Sequence, residues 1–286
     1  MKINDLAIFV EVAKAQSLRQ AARQLGIHPG TLSKTIKRIE EHYQHEMFSR
    51  IGGNWALTSA GETLFQRAIE LIEVNEKIER ELGKPRRPHL RVSGPNAVLS
   101  YFLPGLMHQF IAAQPQATIE TKTAHDLSML LKHDVDLALI CQLNDQPPSE
   151  RQIVAKKLRK VTFVTAANLN HPLVSRSGQV TPIEQVLQHP FIVPSQPFYG
   201  KMEEQRSPDG WHDEHFSRLI SARVDNTAAL IALINARPLL AYLPDYIAHE
   251  HKLHVIKTSG CPYTCEQSLW LCQHKQRQHY WMQIFD

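Results

Sequence analysis

Thr31, Ser33, Lys34, Thr35, Lys37 and Arg38 crowd into one short stretch, set against an apolar stripe of Leu32, Ile36, Ile39 and Tyr43 at helical spacing. Short hydroxyls and cations are the side chains that hold phosphate oxygens and reach base edges in a major groove. No acid occurs between Glu11 and Glu40, while the interval holds Lys14, Arg19, Arg23, Lys34, Lys37 and Arg38. An acid-free basic stretch suits a surface that faces phosphates; on charge alone, an ordinary solvated face would read the same. Arg50, further on, is placed to reach a flanking phosphate.

Other residues invite different chemistry. His249-x-His251-x-x-His254, Cys261-x-x-x-Cys265 and Cys272-x-His274 are metal-ligating types. None has the C-x-x-C spacing of a zinc ribbon, and Pro262 restrains the first cysteine pair, so no metal is expected. The chain shows no G-x-S-x-G elbow, phosphate-binding loop, H-E-x-x-H or dinucleotide fingerprint, so neither catalysis nor a cofactor is expected. Four cysteines in 286 residues are no disulfide scaffold, which points to a reducing cytoplasm. No apolar run reaches the roughly 18–20 residues of a membrane span, and Asp5 and Glu11 interrupt what would be a signal peptide.

The basic set needs helices to position it. Residues 1–17 read as a helix capped by Asn4, with Leu6, Phe9, Val10 and Ala13 at helical spacing. Ser17-Leu18-Arg19-Gln20 is a capping box opening a short second helix that Gly26 can end. Pro29 suits the first position of a third. Two helices around a tight Gly-containing turn make a helix-turn-helix. Residues 50–57, with Gly52-Gly53 at their centre, read as a hairpin, hence a wing.

Thr58 then caps a long helix to about residue 82. Along it Leu64, Ala68, Leu71, Asn75, Ile78 and Leu82 alternate spacings of four and three, the period of a dimer seam, with Asn75 as a register-fixing polar residue. Phe65, Ile69 and Ile72 form a second stripe that returns to the three-helix body. Residues 83–88 break the helix and are the clearest linker. Charge divides unevenly about it, with 14 Lys+Arg against 11 Asp+Glu in residues 1–88 and 18 against 17 beyond. Strands at 90–92, 118–123, 136–140, 161–166, 191–193, 239–242 and 269–272 alternate with helices at 98–113, 127–131 and 227–236. That order implies a mostly parallel α/β sheet in two lobes.

At this point the chain resembles the LysR-type transcriptional regulators. The resemblance is densest in Phe9, Ala13, Ser17, Ala21-Ala22, Leu25, Leu32-Ser33, Ile36, Ile39-Glu40, Phe48-Ser49-Arg50, Leu57-Thr58 and Ala60-Gly61. Fainter marks follow in Leu103-Pro104, Phe110, Pro115, Asp136-Leu137-Ala138, His171-Pro172-Leu173 and Leu243-Pro244. The resemblance implies a winged helix-turn-helix, a long dimerising linker helix and a two-lobed periplasmic-binding-protein-like effector domain. Three departures stand out. His28-Pro29-Gly30 replaces a usual Ser-Gln-Pro, Gly53 stands where the wing carries a second Arg, and Arg237-Pro238-Leu239 replaces a Gly-x-Gly.

The expected organisation is residues 1–58 for DNA, 59–87 for pairing, and 88–286 for an effector. The last divides into lobe one, 88–162 with 254–286, and lobe two, 163–253. The expected partners are double-stranded DNA, a second copy or three in a homodimer or homotetramer, and a small carboxylate; no membrane is expected. The carboxylate would sit between the lobes at strand ends, held by Ser93, Asn96, His125, Asn226 and Thr227, with Phe198 or Tyr199 on its apolar body. The alternatives are a redox- or metal-responsive regulator using Cys and His, and a small-molecule enzyme fused to a DNA-binding head.

Overall fold

The computed structural model describes residues 1–15, 17–51, 54–82, 88–174, 179–200 and 207–275, which divide near Pro88 into two compact units. The expected linker at 83–87 and Gly53 lie outside the described residues.

The first unit comprises α1 (Ile3–Lys14), α2 (Leu18–Leu25), α3 (Pro29–Tyr43), the hairpin β1 (Phe48–Ile51) and β2 (Asn54–Leu57), and the long α4 (Ser59–Glu81). Local chemistry sets these boundaries. The Ser17 hydroxyl accepts from the Gln20 N–H (3.2 Å), and Gly26, at φ +64°, ends α2 in the left-handed region. Helix α1 differs from expectation: its cap is Lys2 rather than Asn4, because the Asp5 carboxylate takes the Lys2 N–H (2.9 Å). Thr58 accepts from the Gly61 N–H (3.0 Å) to start α4. A Cβ at Gly61 would stand 2.1 Å from the Met47 carbonyl oxygen, so only glycine lets the helix approach.

Leu32, Ile36 and Ile39 of α3 are buried with Phe9 and Ala21. Tyr43, expected in that stripe, is exposed, because α3 ends there on the left-handed Gln44. Phe65, Ile69 and Ile72 of α4 pack on the same core, and so do Leu64 and Ala68.

The second unit runs β3 (His89–Gly94), α5 (Asn96–Ala113), β4 (Thr118–Thr123), α6 (Ser128–Leu131), β5 (Leu137–Gln142), β6 (Ile153–Ala167), β7 (Thr181–Pro182), α7 (Ile183–Val186) and β8 (Pro190–Pro194). It continues through β9 (Leu219–Val224), α8 (Thr227–Ala236), β10 (Leu240–Pro244), α9 (Asp245–Glu250), β11 (His254–Val255), β12 (Thr258–Ser259) and β13 (Glu266–His274). The strands follow one path, β4-β3-β5-β13-β6-β10-β8-β9. Parallel β4, β3 and β5 with antiparallel β13 make one lobe; β10, β8 and β9 make the other; β6 runs through both.

The pairing register locates the crossings. Thr162 of β6 pairs with Glu266, and the next residue, Phe163, pairs with Pro244. The return to lobe one is later than the expected residue 254. His254 and Val255 still pair with Ala167 and Ala166 in the second lobe, and the chain rejoins the first only at Glu266. The Tyr242 hydroxyl pins this return by accepting from the Cys265 N–H (2.9 Å).

One family mark and one departure have plain structural causes. Buried Asp136 accepts from the Arg91 N–H (2.8 Å) and guanidinium (2.9 Å), clamping β3 to β5. The missing Gly-x-Gly at 237–239 is compensated by Asn168, whose amide donates to the Ile234 (2.5 Å) and Arg237 (3.0 Å) carbonyls at the end of α8. Arg237 itself is extended, so no left-handed residue is required. Among the described residues no helix is long and apolar enough to cross a membrane.

Candidate functional site

Helix α3 presents Thr31, Lys34, Lys37 and Arg38 to solvent, with Ser33 half-buried. Thr35 does not belong with them. It is buried, because its position shares the face of Leu32, Ile36 and Ile39. Arg38 is committed in part to the fold: its guanidinium lies 2.5 Å from Asp5 Oδ1, tying α3 to α1. Burial pushes the Asp5 carboxyl up, but the Lys2 N–H and the Arg38 guanidinium outweigh it and hold it below its ordinary value.

The unusual His28-Pro29-Gly30 opening has a local rationale. His28 Nδ1 accepts from the Gly30 N–H (3.1 Å), so the ring takes over the capping work of a serine. Beside it, exposed Arg19 and Arg23 border a shallow concavity lined by Ala22, Ile27 and Pro29. These two arginines belong to the basic stretch legible in sequence, and the fold sets them against the first turn of α3. Arg50 has its backbone in β1; its side chain lies outside the described residues.

Leu71, Val74 and Ile78 of α4, with Leu82 just past its end, are exposed, an apolar stripe at spacings of three, four and four. Asn75 sits half-buried among them. Leu64 and Ala68, expected in the seam, are removed from it because they are buried in the core of the first unit, where α4 packs on α1. Val74 takes a place that the strict seam spacing passes over.

In the second unit, Ser93 is the next-to-last residue of β3, and its hydroxyl is fully buried with no hydrogen-bond partner among the described residues. Pro95 then caps α5, whose first N–H groups, at Asn96 and Ala97, have no helical carbonyl to bond. A buried hydroxyl beside a helix N-terminus is an anion receptor in kind. Asn96 is exposed, and its Oδ1 accepts from Thr123 at the end of β4 (2.7 Å). Two residues on, exposed His125 meets Gly200 so closely that a Cβ on Gly200 would lie 2.2 Å from His125 Cβ.

Next to Gly200, the Tyr199 hydroxyl donates to that of Tyr246 (2.9 Å), which donates to the Ala97 carbonyl (3.2 Å). This chain of hydrogen bonds joins the second lobe to the start of α5. Burial raises both phenols well above their ordinary pKa, so they remain donors. Phe198 and Tyr199 are buried, with ring centroids 5.9 Å from Phe163. They therefore pack on the protein in this structure. Asn226 is spent on its own helix, with Oδ1 capping the Ala229 N–H (2.8 Å) and its amide on Asp225 (2.8 Å), and Thr227 is the first residue of α8. Contacts thus bring His125 to Gly200, beside Tyr199, and tie Tyr199 through Tyr246 to Ala97, the neighbour of Asn96. Tyr246 is not evident from sequence. Its signal is its place just after Leu243-Pro244, where a strand end opens a helix.

Cys141 and Cys272 lack the lowered thiol pKa that favours reaction with oxidants. Burial raises the Cys141 thiol, and it pushes Cys272 up to about 12, whereas a reactive cysteine needs the opposite shift. Cys265 is buried as well. His251 Nε2 lies 2.6 Å from the Tyr101 hydroxyl, and His274 packs on His133 at 4.3 Å.

Residues 3–62 match the model of the bacterial regulatory helix-turn-helix protein, lysR family, and residues 83–280 match the LysR substrate binding domain. The HTH-type transcriptional regulator DgdR of Burkholderia cepacia is 32% identical over 149 residues, 51% of this chain and 51% of its own. The chain thus spans about half the length of the curated relatives it matches. Among solved structures, ArgP from Mycobacterium tuberculosis is similar with a TM-score of 0.62 at 15% identity, covering 99% of this chain and 94% of that one. Full-length LysG from Corynebacterium glutamicum, with bound effector Arg, gives 0.60 at 17% identity, covering 100% and 96%. Both likenesses are of fold.

Proposed function

This chain belongs to the LysR family of bacterial transcriptional regulators, and we propose that it binds double-stranded DNA through α3 and couples that binding to a small carboxylate effector held between its lobes. Thr31, Ser33, Lys34, Lys37 and Arg38, with Arg19 and Arg23 beside them, are the surface offered to phosphates and base edges. The α4 stripe pairs copies into a homodimer or homotetramer, and two linked heads raise the effective concentration of the second on the duplex. Such a regulator works in the cytoplasm and turns over no substrate.

The observation that carries the effector half is Ser93. A fully buried hydroxyl with no partner among the described residues costs free energy that an anion at the α5 N-terminus would recover. Asn96 and His125 border the same approach, and the Tyr199–Tyr246–Ala97 chain is the contact that an effector would stabilise or break.

The test begins with genome-wide mapping of bound sites, which yields an operator duplex for binding titrations. A set of small organic acids is then screened for a change in affinity for that duplex. The expected result is an acid that shifts affinity in the parent chain and loses its effect in Ser93→Ala. An effector that acts equally on Ser93→Ala would overturn the assignment of this site, and absence of bound sites would overturn the DNA reading.

A further inference from the structure

The second lobe carries a cluster that neither DNA nor the interlobe contact uses. Ahead of β9 the chain turns tightly, with the N–H groups of His215 and Phe216 both bonded to the His212 carbonyl (3.1 and 2.9 Å). The turn is anchored from within. Arg218, its side chain fully buried, holds Asp209 (2.6 Å) and Asp213 (2.8 Å), and the Ser207 hydroxyl also bonds to Asp213.

With Asp213 bonded to the buried arginine, His212, Glu214 and His215 each offer one ligand atom, all within 4.8 Å of one another. His212 is half-buried, and its ring is stacked on Tyr263 with centroids 3.9 Å apart and planes at 25°. The His215 ring lies 5.5 Å from the same tyrosine. Glu214 and His215 are exposed, so their side chains can rotate toward the fixed His212.

Two imidazoles and a carboxylate are the donor set of a borderline dication. Hard Mg2+ or Ca2+ would instead require more oxygens. In a tetrahedral zinc site, bonds of about 2.0–2.2 Å place ligand atoms about 3.3 Å apart, so shifts of roughly an ångström close this cluster on an ion. The backbone that must stay still meanwhile is the part held by the buried Arg218.

We infer that His212, Glu214 and His215 form a binding site for a transition-metal dication of the Zn2+ type, with water in the remaining position. The sequence gives little warning of it, because the H-x-E-H spacing becomes a common site only through this turn. The site lies against Tyr263, in the segment leading to β13, so occupancy would stiffen the route by which the chain returns to the first lobe.

The test uses the full chain stripped with chelator and titrated with Zn2+ alone by calorimetry. The expected result is a Zn2+ affinity at least tenfold weaker in both His212→Ala and His215→Ala, and weaker in Glu214→Gln. Controls at His249→Ala and His251→Ala should bind like the parent, and Co2+ should give the visible absorption of a tetrahedral N/O site only in parent and controls. Melting in chelator checks that the variants fold. Should a histidine variant fail this check, exposed Glu214→Gln decides. The inference is overturned if the folded variants keep the parent affinity, or if the controls lose as much as they do.

Discussion

Arg218 is a residue whose loss the second lobe would feel sharply. Its guanidinium meets two carboxylates and lies over the rings of Trp211 (4.9 Å) and Phe191 (5.4 Å), away from water. Removing one partner of a buried ion pair leaves the other uncompensated, at a cost of about 3–5 kcal/mol. Arg218→Ala should therefore lower the urea midpoint of this unit sharply, whereas Arg218→Met, which fills the space, should still leave both aspartates unpaired and recover only part. Asp5 gives a pH signature in the other unit. Its folded pKa lies below the unfolded one, so its contribution is complete above the ordinary carboxylate pKa of about 3.9 and drains as pH falls through the lower folded value. Asp5→Asn should be less stable at neutral pH, and its melting temperature should fall less than that of the parent on acidification through pH 4.

At the scale of elements, α3 and α4 each separate a structural face from a working one. Lys34 is exposed on α3, and Lys34→Ala should reduce the slope of log affinity against log salt by about one unit, with operator preference unchanged. Ile78 lies in the exposed stripe clear of the core, so Ile78→Asp should monomerise the chain in sedimentation without lowering its melting temperature in dilute solution. The turns, caps and amphipathic faces behind these expectations were legible because they are local. Ser17, Gly26, Pro29 and Thr58 act within a few residues of themselves. Thr35 misled because a threonine at the edge of a stripe has no type-specific side. Leu64 and Ala68 misled because a seam and a core share one periodicity. The first half of β6 was hidden by Lys156, Lys157, Arg159 and Lys160, and β9 by its half-exposed edge pattern. Tyr246 and Arg218 acquire their roles only through residues distant in sequence, which no spacing rule reveals.

For the effector domain as a whole, the contact of Gly200 with His125 between the lobes tolerates no bulk. Gly200 has φ +82°, and a Cβ there would overlap the His125 side chain. Gly200→Ala should part this contact, lower the unit's melting temperature and change the response to effector. Adding His125→Gly should remove the overlap and restore part of the loss, the backbone strain remaining. If the second change restores nothing, the His125 contact does not limit closure.

Strand β13 carries a different consequence, for synthesis. It stands between β5 and β6 inside the first lobe, yet it is the last strand among the described residues. The second lobe draws all its strands from 153–259 and is complete while β13 is still being made. A nascent chain halted before Glu266 would hold a finished second lobe and a first lobe split open, with the facing edges of β5 and β6 both unsatisfied. The part translated earlier thus waits on the part translated last, and for that interval the chain offers chaperones, or its neighbours on the same message, two bare strand edges to bind.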